Sequence, residues 1–209
     1  MCLAAFAPLG KNWRIADLGS GSGALGLLLC AREESCSVTG LELSEAAHET
    51  ALRNIARCGL VGRLSSIPGD IRHARALLPH GGFQLVVSNP PYFQKGRGLS
   101  SHDPDRKQAR EESCSLESLF DAAAWCLPTG GRFCLSYRIE GLADLCWQAR
   151  KHDLEPKRLC LVRHRAETTP AFLLLECRRG GKPQLSLEEL ILYRPDGRPT
   201  PQMREIYHL

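Results

Sequence analysis

Residues 86–93 read VVSNPPYF. Proline donates no backbone hydrogen bond and fixes φ, so two adjacent prolines cannot sit inside a central strand. The strand that VVS predicts must end near Ser88. Asn89, Pro90, Pro91 and Tyr92 then lie on a stiff turn just past its C-terminal end. In open, mostly parallel α/β sheets, ligands bind at that end of the strands. The turn would offer a ligand one carboxamide and one aromatic ring.

A second stretch with chemical potential lies upstream. Residues 17–23 read DLGSGSG, after one strand-forming run and before a helical one. Glycines let a backbone turn sharply and approach a ligand closely. The spacing is GxGxG, which departs from the GxGxxG of dinucleotide binders, and no lysine follows as a P-loop requires. Glu42 closes the next predicted strand and could take the two hydroxyls of a ribose, because an ionised carboxylate accepts several hydrogen bonds. Asp70, after Pro68 and Gly69, closes the third and could accept from an exocyclic amine. Each carboxylate alone reads as a solvated strand-end charge. The combination is more informative, since the loop and both acids fall in order at C-terminal strand ends on one sheet edge.

The elements that must position these residues alternate along the chain. Strands are expected in WRIADL, SVTGLEL, RLSSIPGD, FQLVVS, GGRFCLSYR, EPKRLCLVRH and PAFLLLECRR, with LEELILYR as a short extra strand. Helices are expected in ALGLLLCAR, SEAAHETALRNIARCGL, SLESLFDAAAWCL and GLADLCWQARKH. Ser44 and Ser115 are the expected N-caps, and Gly59 stops the second helix. The polar stretch 94–113 reads as a long loop leading into a helix. Strands separated by helices predict βαβ units and a seven-stranded, mostly parallel sheet with helices on both faces. HRAETTP, between the last two strands, is too short for a parallel crossover, so those two are expected to pair antiparallel.

Composition narrows the function classes. The chain has 209 residues, 43% of them hydrophobic, a formal net charge of +4 and a pI of about 8.6. This suits one domain over residues 1–209 and permits a nucleic-acid partner without demanding one. No apolar run reaches the roughly 18–20 residues of a membrane span, and no basic region precedes the apolar start as in a signal peptide. The ten cysteines form no CxxC pair and read as reduced, mostly buried thiols of a cytoplasmic protein. The seven histidines show no ligand spacing, so no metal is expected.

ADLGSGSG, GLEL, GD and NPPY in that order resemble the class I S-adenosylmethionine-dependent methyltransferases, from about Trp13 to Arg138. The resemblance implies a Rossmann-like fold and S-adenosylmethionine as cofactor. It implies that Asp17, Gly19, Ser20, Gly21 and Gly23 surround the methionine part, that Glu42 holds the ribose, and that Leu43, Asp70 and Ile71 flank the adenine, with Asn89 at the border. NPPY is similar to the motif of the amino-methyltransferases. There the asparagine oxygen and the first proline's carbonyl would accept the two N–H groups of a target amine, while Tyr92 stacks on a flat base, worth roughly 1–3 kcal/mol. Such motifs serve adenine N6 in DNA or RNA, guanine N2, and the glutamine amide of peptide release factors. An inactive methyltransferase-fold binding module is a further alternative.

The residues after NPPY favour one branch. NPPYFQKG, a polar stretch and RKQARE resemble the tRNA adenine-N6-methyltransferases that modify the purine beside the anticodon of a valine tRNA. PAFLLLECRRGGK and LEELILYRPDG fit the C-terminal half of that family. Members carry a further stretch with a small strand pair ahead of the segment at which this chain begins. The resemblance implies transfer to N6 of an adenine in RNA, with tRNA as partner; the oligomeric state is left open, with a monomer favoured. Phe93, Lys95, Arg97, Arg106 and Arg110 are the expected RNA contacts near the active-site mouth. Arg163, Arg165 and the stretch Arg178–Lys182 are further basic candidates.

Overall fold

The computed structural model describes residues 1–90 and 115–207. The loop expected over 94–113 lies outside the described residues. The strands are β1 (Arg14–Leu18), β2 (Ser37–Glu42), β3 (Leu64–Pro68), β4 (Leu85–Ser88), β5 (Arg132–Tyr137), β6 (Leu154–Arg163), β7 (Phe172–Arg179) and β8 (Ser186–Ile191). The helices are α1 (Cys2–Phe6), α2 (Ala24–Arg32), α3 (Glu45–Arg57), α4 (Ala74–Leu77), α5 (Leu116–Cys126), α6 (Leu142–Lys151) and α7 (Pro201–Tyr207).

The sheet has eight strands in the order β3-β2-β1-β4-β5-β7-β6-β8. This corrects the expected seven: LEELILYR supplies a full edge strand, parallel to β6 from Arg158↔Ser186 to Arg163↔Ile191. β1 to β5 pair in parallel. β7 is antiparallel to β6, as the short link predicts, and also to β5. The hairpin is seated with its second strand inward, so β7 separates β5 from β6. β6 and β8 therefore run in the same direction as β5.

Local signals explain the element ends. Ser44 caps α3 by accepting from the Ala47 amide at 3.4 Å, and Ser115 caps α5 by accepting from Ser118 at 3.1 Å. Behind α3 the Gly59 amide donates to Ala56 and the Leu60 amide to Ile55. That is a Schellman stop, and it needs a left-handed residue, which Gly59 supplies at φ +66°.

Strand alternation divides the core into two layers. Leu18, Leu41, Val86, Phe133, Leu135 and Tyr137 face the layer that includes α5, where Phe120 meets Phe133 edge-on at 5.2 Å. Ile15, Val38, Leu85, Val87 and Cys134 face the opposite layer, with residues of α1, α2 and α7. Because successive side chains point to opposite faces, Asp17, Gly40, Glu42, Asn89 and Ser136 all belong to this second side. The nine described cysteines are free, and burial raises the Cys30 thiol to about 11 and that of Cys126 to about 12. Among the described residues no helix is long and apolar enough to cross a membrane.

A buried ion group lies at the centre of the C-terminal half of the sheet. Glu176 of β7 has no solvent exposure. Arg132 of β5 and Arg158 of β6 donate to its two oxygens, the second at 2.9 Å. Arg158 also lies over the Phe6 ring at 4.4 Å and reaches Glu188 of β8. The group thus joins β5, β7, β6, β8 and α1. Removing one member of a buried ion group leaves uncompensated charge, while replacing the whole group with apolar residues need not destabilise. Glu176→Ala is expected to cost about 3 kcal/mol, read as a lowered urea midpoint at unchanged slope, and Glu176→Gln less.

Candidate active site

The glycine loop is fastened to the end of β2. Gly19 and Ser20 donate backbone hydrogen bonds to the Leu41 carbonyl at 2.9 and 3.2 Å. Gly19, Gly21 and Gly23 have φ of +75°, +55° and +79°, a region that L side chains rarely adopt. Gly40 has a different reason to lack a side chain. A Cβ there would lie 2.5 Å from Ser20 Oγ and 2.8 Å from Ser20 Cβ, so the loop would have to shift away from the sheet. The Asn54 amide of α3 donates to the Ser22 carbonyl at 3.0 Å and clamps the loop from the other side. Neither Gly40 nor Asn54 stood out in the sequence. Gly40 reads there as an ordinary interruption of a strand, a hint of close backbone approach.

Glu42 is the hub. One carboxylate oxygen accepts from the Gly21 amide at 2.7 Å and the other from Ser44 at 2.8 Å. Each oxygen keeps a further lone pair for a diol. Beside it, Leu43 is 59% exposed, an apolar side chain at the rim available to a flat ring. Half-buried Ile71 reaches toward Gly19 from the other side. Asp70 is more occupied than its sequence position suggests. It caps the turn Ile71–His73 and holds the Arg72 guanidinium at 2.8 and 2.5 Å. The Arg72 hydrogen bonds hold its carboxyl below the usual carboxylate range.

Asp17 is different again. It is buried, paired in register with Gly40 on one side and Val87 on the other. Its Oδ2 and the Ser20 hydroxyl are buried without a hydrogen-bond partner. Desolvation, with Glu42 adding repulsion, raises the Asp17 carboxyl to about 7. Buried polar atoms are normally satisfied. Two orphans at one glycine loop, beside a carboxylate with spare lone pairs and an exposed leucine, fit a ligand with cationic, hydroxylated and flat apolar parts.

The NPPY turn stands on the neighbouring strand. The Ser88 hydroxyl donates to the Leu18 carbonyl at 2.7 Å, tying the end of β4 to the start of the glycine loop. Asn89 follows and is exposed, whereas Pro90 is buried. Asn89 Oδ1 accepts from the hydroxyl of Ser136 on β5. The register explains this bond: Ser88 pairs with Leu135, so the next residues meet on the same face. Ser136 was missed in the sequence, where it reads as one more residue of a buried strand.

The structure therefore brings together Asp17, Gly19, Ser20, Gly21, Gly23, Glu42, Leu43, Asp70, Ile71, Asn89 and Pro90 at the C-terminal ends of β1, β2, β3 and β4. Pro91, Tyr92, Phe93, Lys95, Arg97, Arg106 and Arg110 lie outside the described residues. The remaining basic candidates divide. Arg163 ends β6 on the same sheet edge, where it pairs with Glu189 at 3.2 Å, and Arg165 follows it, exposed. Arg178 pairs with Arg132 at the start of β5, the opposite edge, about 17 Å away at ~3.3 Å per residue. There Arg178, Arg179 and Lys182, with Lys157, line a separate cavity of about 440 Å³. Among the described residues no cluster of His, Cys, Asp or Glu has metal-ligating geometry.

Comparison with known proteins gives this geometry a family. Residues 3–138 match the model of the methyltransferase small domain. A protein of Porphyromonas gingivalis named tRNA1(Val) (adenine(37)-N6)-methyltransferase is 34% identical over 78% of this chain and 64% of its own length. Proteins of the same name from Dickeya chrysanthemi and Actinobacillus pleuropneumoniae are 32% and 27% identical, covering 88% and 98% of this chain and 72% and 84% of theirs. The chain thus spans just under two thirds of the Porphyromonas relative. Among solved structures, a predicted O-methyltransferase from Agrobacterium tumefaciens superposes with a TM-score of 0.81 at 24% identity, covering 99% of this chain and 93% of that one. Geranyl diphosphate C-methyltransferase from Streptomyces coelicolor superposes with a TM-score of 0.62 at 13% identity, over 85% and 80% of the two chains. These last two likenesses concern the fold. With an eight-stranded sheet of this order, a glycine loop bound to the end of β2, and a family match over residues 3–138, the chain belongs to the methyltransferase small domain family.

Proposed function

We propose that this protein transfers a methyl group from S-adenosylmethionine to the N6 amine of an adenine in RNA, in a tRNA near the anticodon. The observation that carries the reading is the placement of Asn89. Its amide oxygen is fixed at the end of β4, on the sheet edge that holds the glycine loop and Glu42. The names of the relatives that cover most of this chain support the same acceptor. Residues 1–209 act as one domain, in the cytoplasm.

S-adenosylmethionine supplies a methyl group made electrophilic by its sulfonium sulfur. Asp17 and Ser20 would hold the polar amino-acid end, Glu42 the ribose hydroxyls, and Leu43, Asp70 and Ile71 the adenine. Asn89 Oδ1 accepts one N–H of the target amine and the Pro90 carbonyl accepts the other. Two acceptors on one amine favour a pyramidal nitrogen and expose the lone pair that a planar exocyclic amine delocalises into its ring. No strong general base is required, because the proton can leave after the nitrogen becomes cationic. Positioning carries most of the rate. Tyr92 would stack on the base, and the basic residues between Phe93 and Arg110, with Arg165 on the same edge, would meet phosphates.

The test uses labelled S-adenosylmethionine with total tRNA, total protein and duplex DNA in parallel. Label is expected in tRNA as N6-methyladenosine; label confined to protein or DNA would sink the RNA reading. Asn89→Ala is expected to lower kcat by at least 100-fold, the scale of losing a positioned polar contact, with cofactor affinity little changed. A near-normal rate for that variant would remove Asn89 from the reaction.

The raised carboxyl of Asp17 gives a pH signature. Below about 7 the free protein holds a proton there, which must leave before the carboxylate can pair with an ammonium. Affinity for S-adenosylmethionine should therefore rise with pH and level off above neutrality, weakening roughly tenfold per pH unit on the acid side. Calorimetry between pH 5.5 and 8 checks this, and Asp17→Asn should bind weakly with a flat profile.

A further inference from the structure

Ser136 is 5% exposed in a strand otherwise made of Arg132, Phe133, Cys134, Leu135 and Tyr137. An alanine or valine would fill that place with no polar atom to satisfy. The hydroxyl donates instead to Asn89 Oδ1. Asn89 is exposed, so water would serve its amide equally well as far as folding is concerned. The bond has its effect on orientation.

An asparagine amide has two ends of nearly equal shape and opposite hydrogen-bonding sense. With Oδ1 turned to Ser136, one lone pair of the oxygen takes the serine proton and the other stays open. If the amide turned over, Nδ2 would donate to the serine oxygen, and the serine proton would lose the acceptor it has in Asn89 Oδ1. That disfavours the turned state by about tenfold or more. The turned amide would also present N–H to the N–H of a target amine, an arrangement that cannot hold it.

We infer that Ser136 is a positioning residue for methyl transfer: its hydroxyl fixes the direction of the Asn89 amide, so that the oxygen faces the acceptor amine. The inference rests on the amine-methylation reading of the site. It assigns Ser136 a part in the rate of transfer and none in holding the cofactor, because Glu42, Asp17 and Ser20 sit on β1, β2 and the loop between them, not on β5.

Ser136→Thr and Ser136→Val differ only in a hydroxyl against a methyl, so they separate packing from hydrogen bonding. With tRNA as acceptor, the threonine variant should keep kcat within about threefold of the parent, while the valine variant loses about tenfold or more. The Kd for S-adenosylmethionine by calorimetry, the KM for tRNA and the urea midpoint should match between the two. Ser136→Ala, which only removes the hydroxyl, should fold and show the same loss of kcat. Equal kcat for threonine and valine, or an unimpaired alanine variant, overturns the inference. So does a loss that tracks cofactor affinity or stability, since a merely structural serine would behave in that way. If the unaltered protein methylates no RNA, or Asn89→Ala stays active, the reading of the site fails and this inference fails with it. An inactive Asn89→Ala beside equal threonine and valine variants removes the role of Ser136 alone.

Discussion

Glu42 holds the site together. Its two oxygens accept from Gly21 and from Ser44, so one side chain joins the glycine loop, the end of β2 and the entry of α3. Close approach makes this possible. Gly40 leaves room for Ser20 against the sheet, and the loop amides then reach the Leu41 carbonyl and the Glu42 carboxylate. Without that approach the glycines would still turn, but they would turn in solvent, away from the Glu42 carboxylate.

Most of the architecture was legible because it is written in local patterns. Ser44, Ser115 and Gly59 mark helix ends by chemistry that does not depend on distant residues. The prolines after Ser88 end β4 because of what proline cannot do. The short link before Pro170 dictated an antiparallel pair. What was not legible depends on which strands meet. That β7 enters next to β5 and pushes β6 outward follows from packing across the sheet, and no local feature of either strand announces it. The same holds for Ser136, whose partner lies 47 positions away, and for Asn54, which clamps a loop 32 positions away. The short helices α1, α4 and α7 were missed because so few residues carry little periodicity. The eighth strand, SLEELI, is exposed at four of its six positions, so its alternation is weak.

The two buried carboxylates among the described residues show opposite treatments of one problem. Glu176 is buried and fully answered by Arg132 and Arg158, so it serves as a fixed joint between sheet strands. Asp17 is buried and left with an orphaned oxygen, so its proton is held to near neutrality. A protein gains nothing in folding from the second arrangement. On the proposed function its use is to meet the ammonium of an arriving cofactor, and the acid stands beside the glycine loop and not in the C-terminal half of the sheet.

The inward seat of β7 also orders events during synthesis. The ribosome releases β5 first, then β6, and only afterwards the strand that must lie between them. Until residues 172–179 emerge, the open backbone groups along β5 have no final neighbour, and β6 cannot dock directly without occupying the place of β7. An unpaired, apolar strand edge invites pairing with other chains, and pairing delayed by sequence separation is slow. If the first half folds as it emerges, it does so around an unpaired β5 edge until β7 arrives. The border closes only once residues 172–179 have left the ribosome and paired with β5.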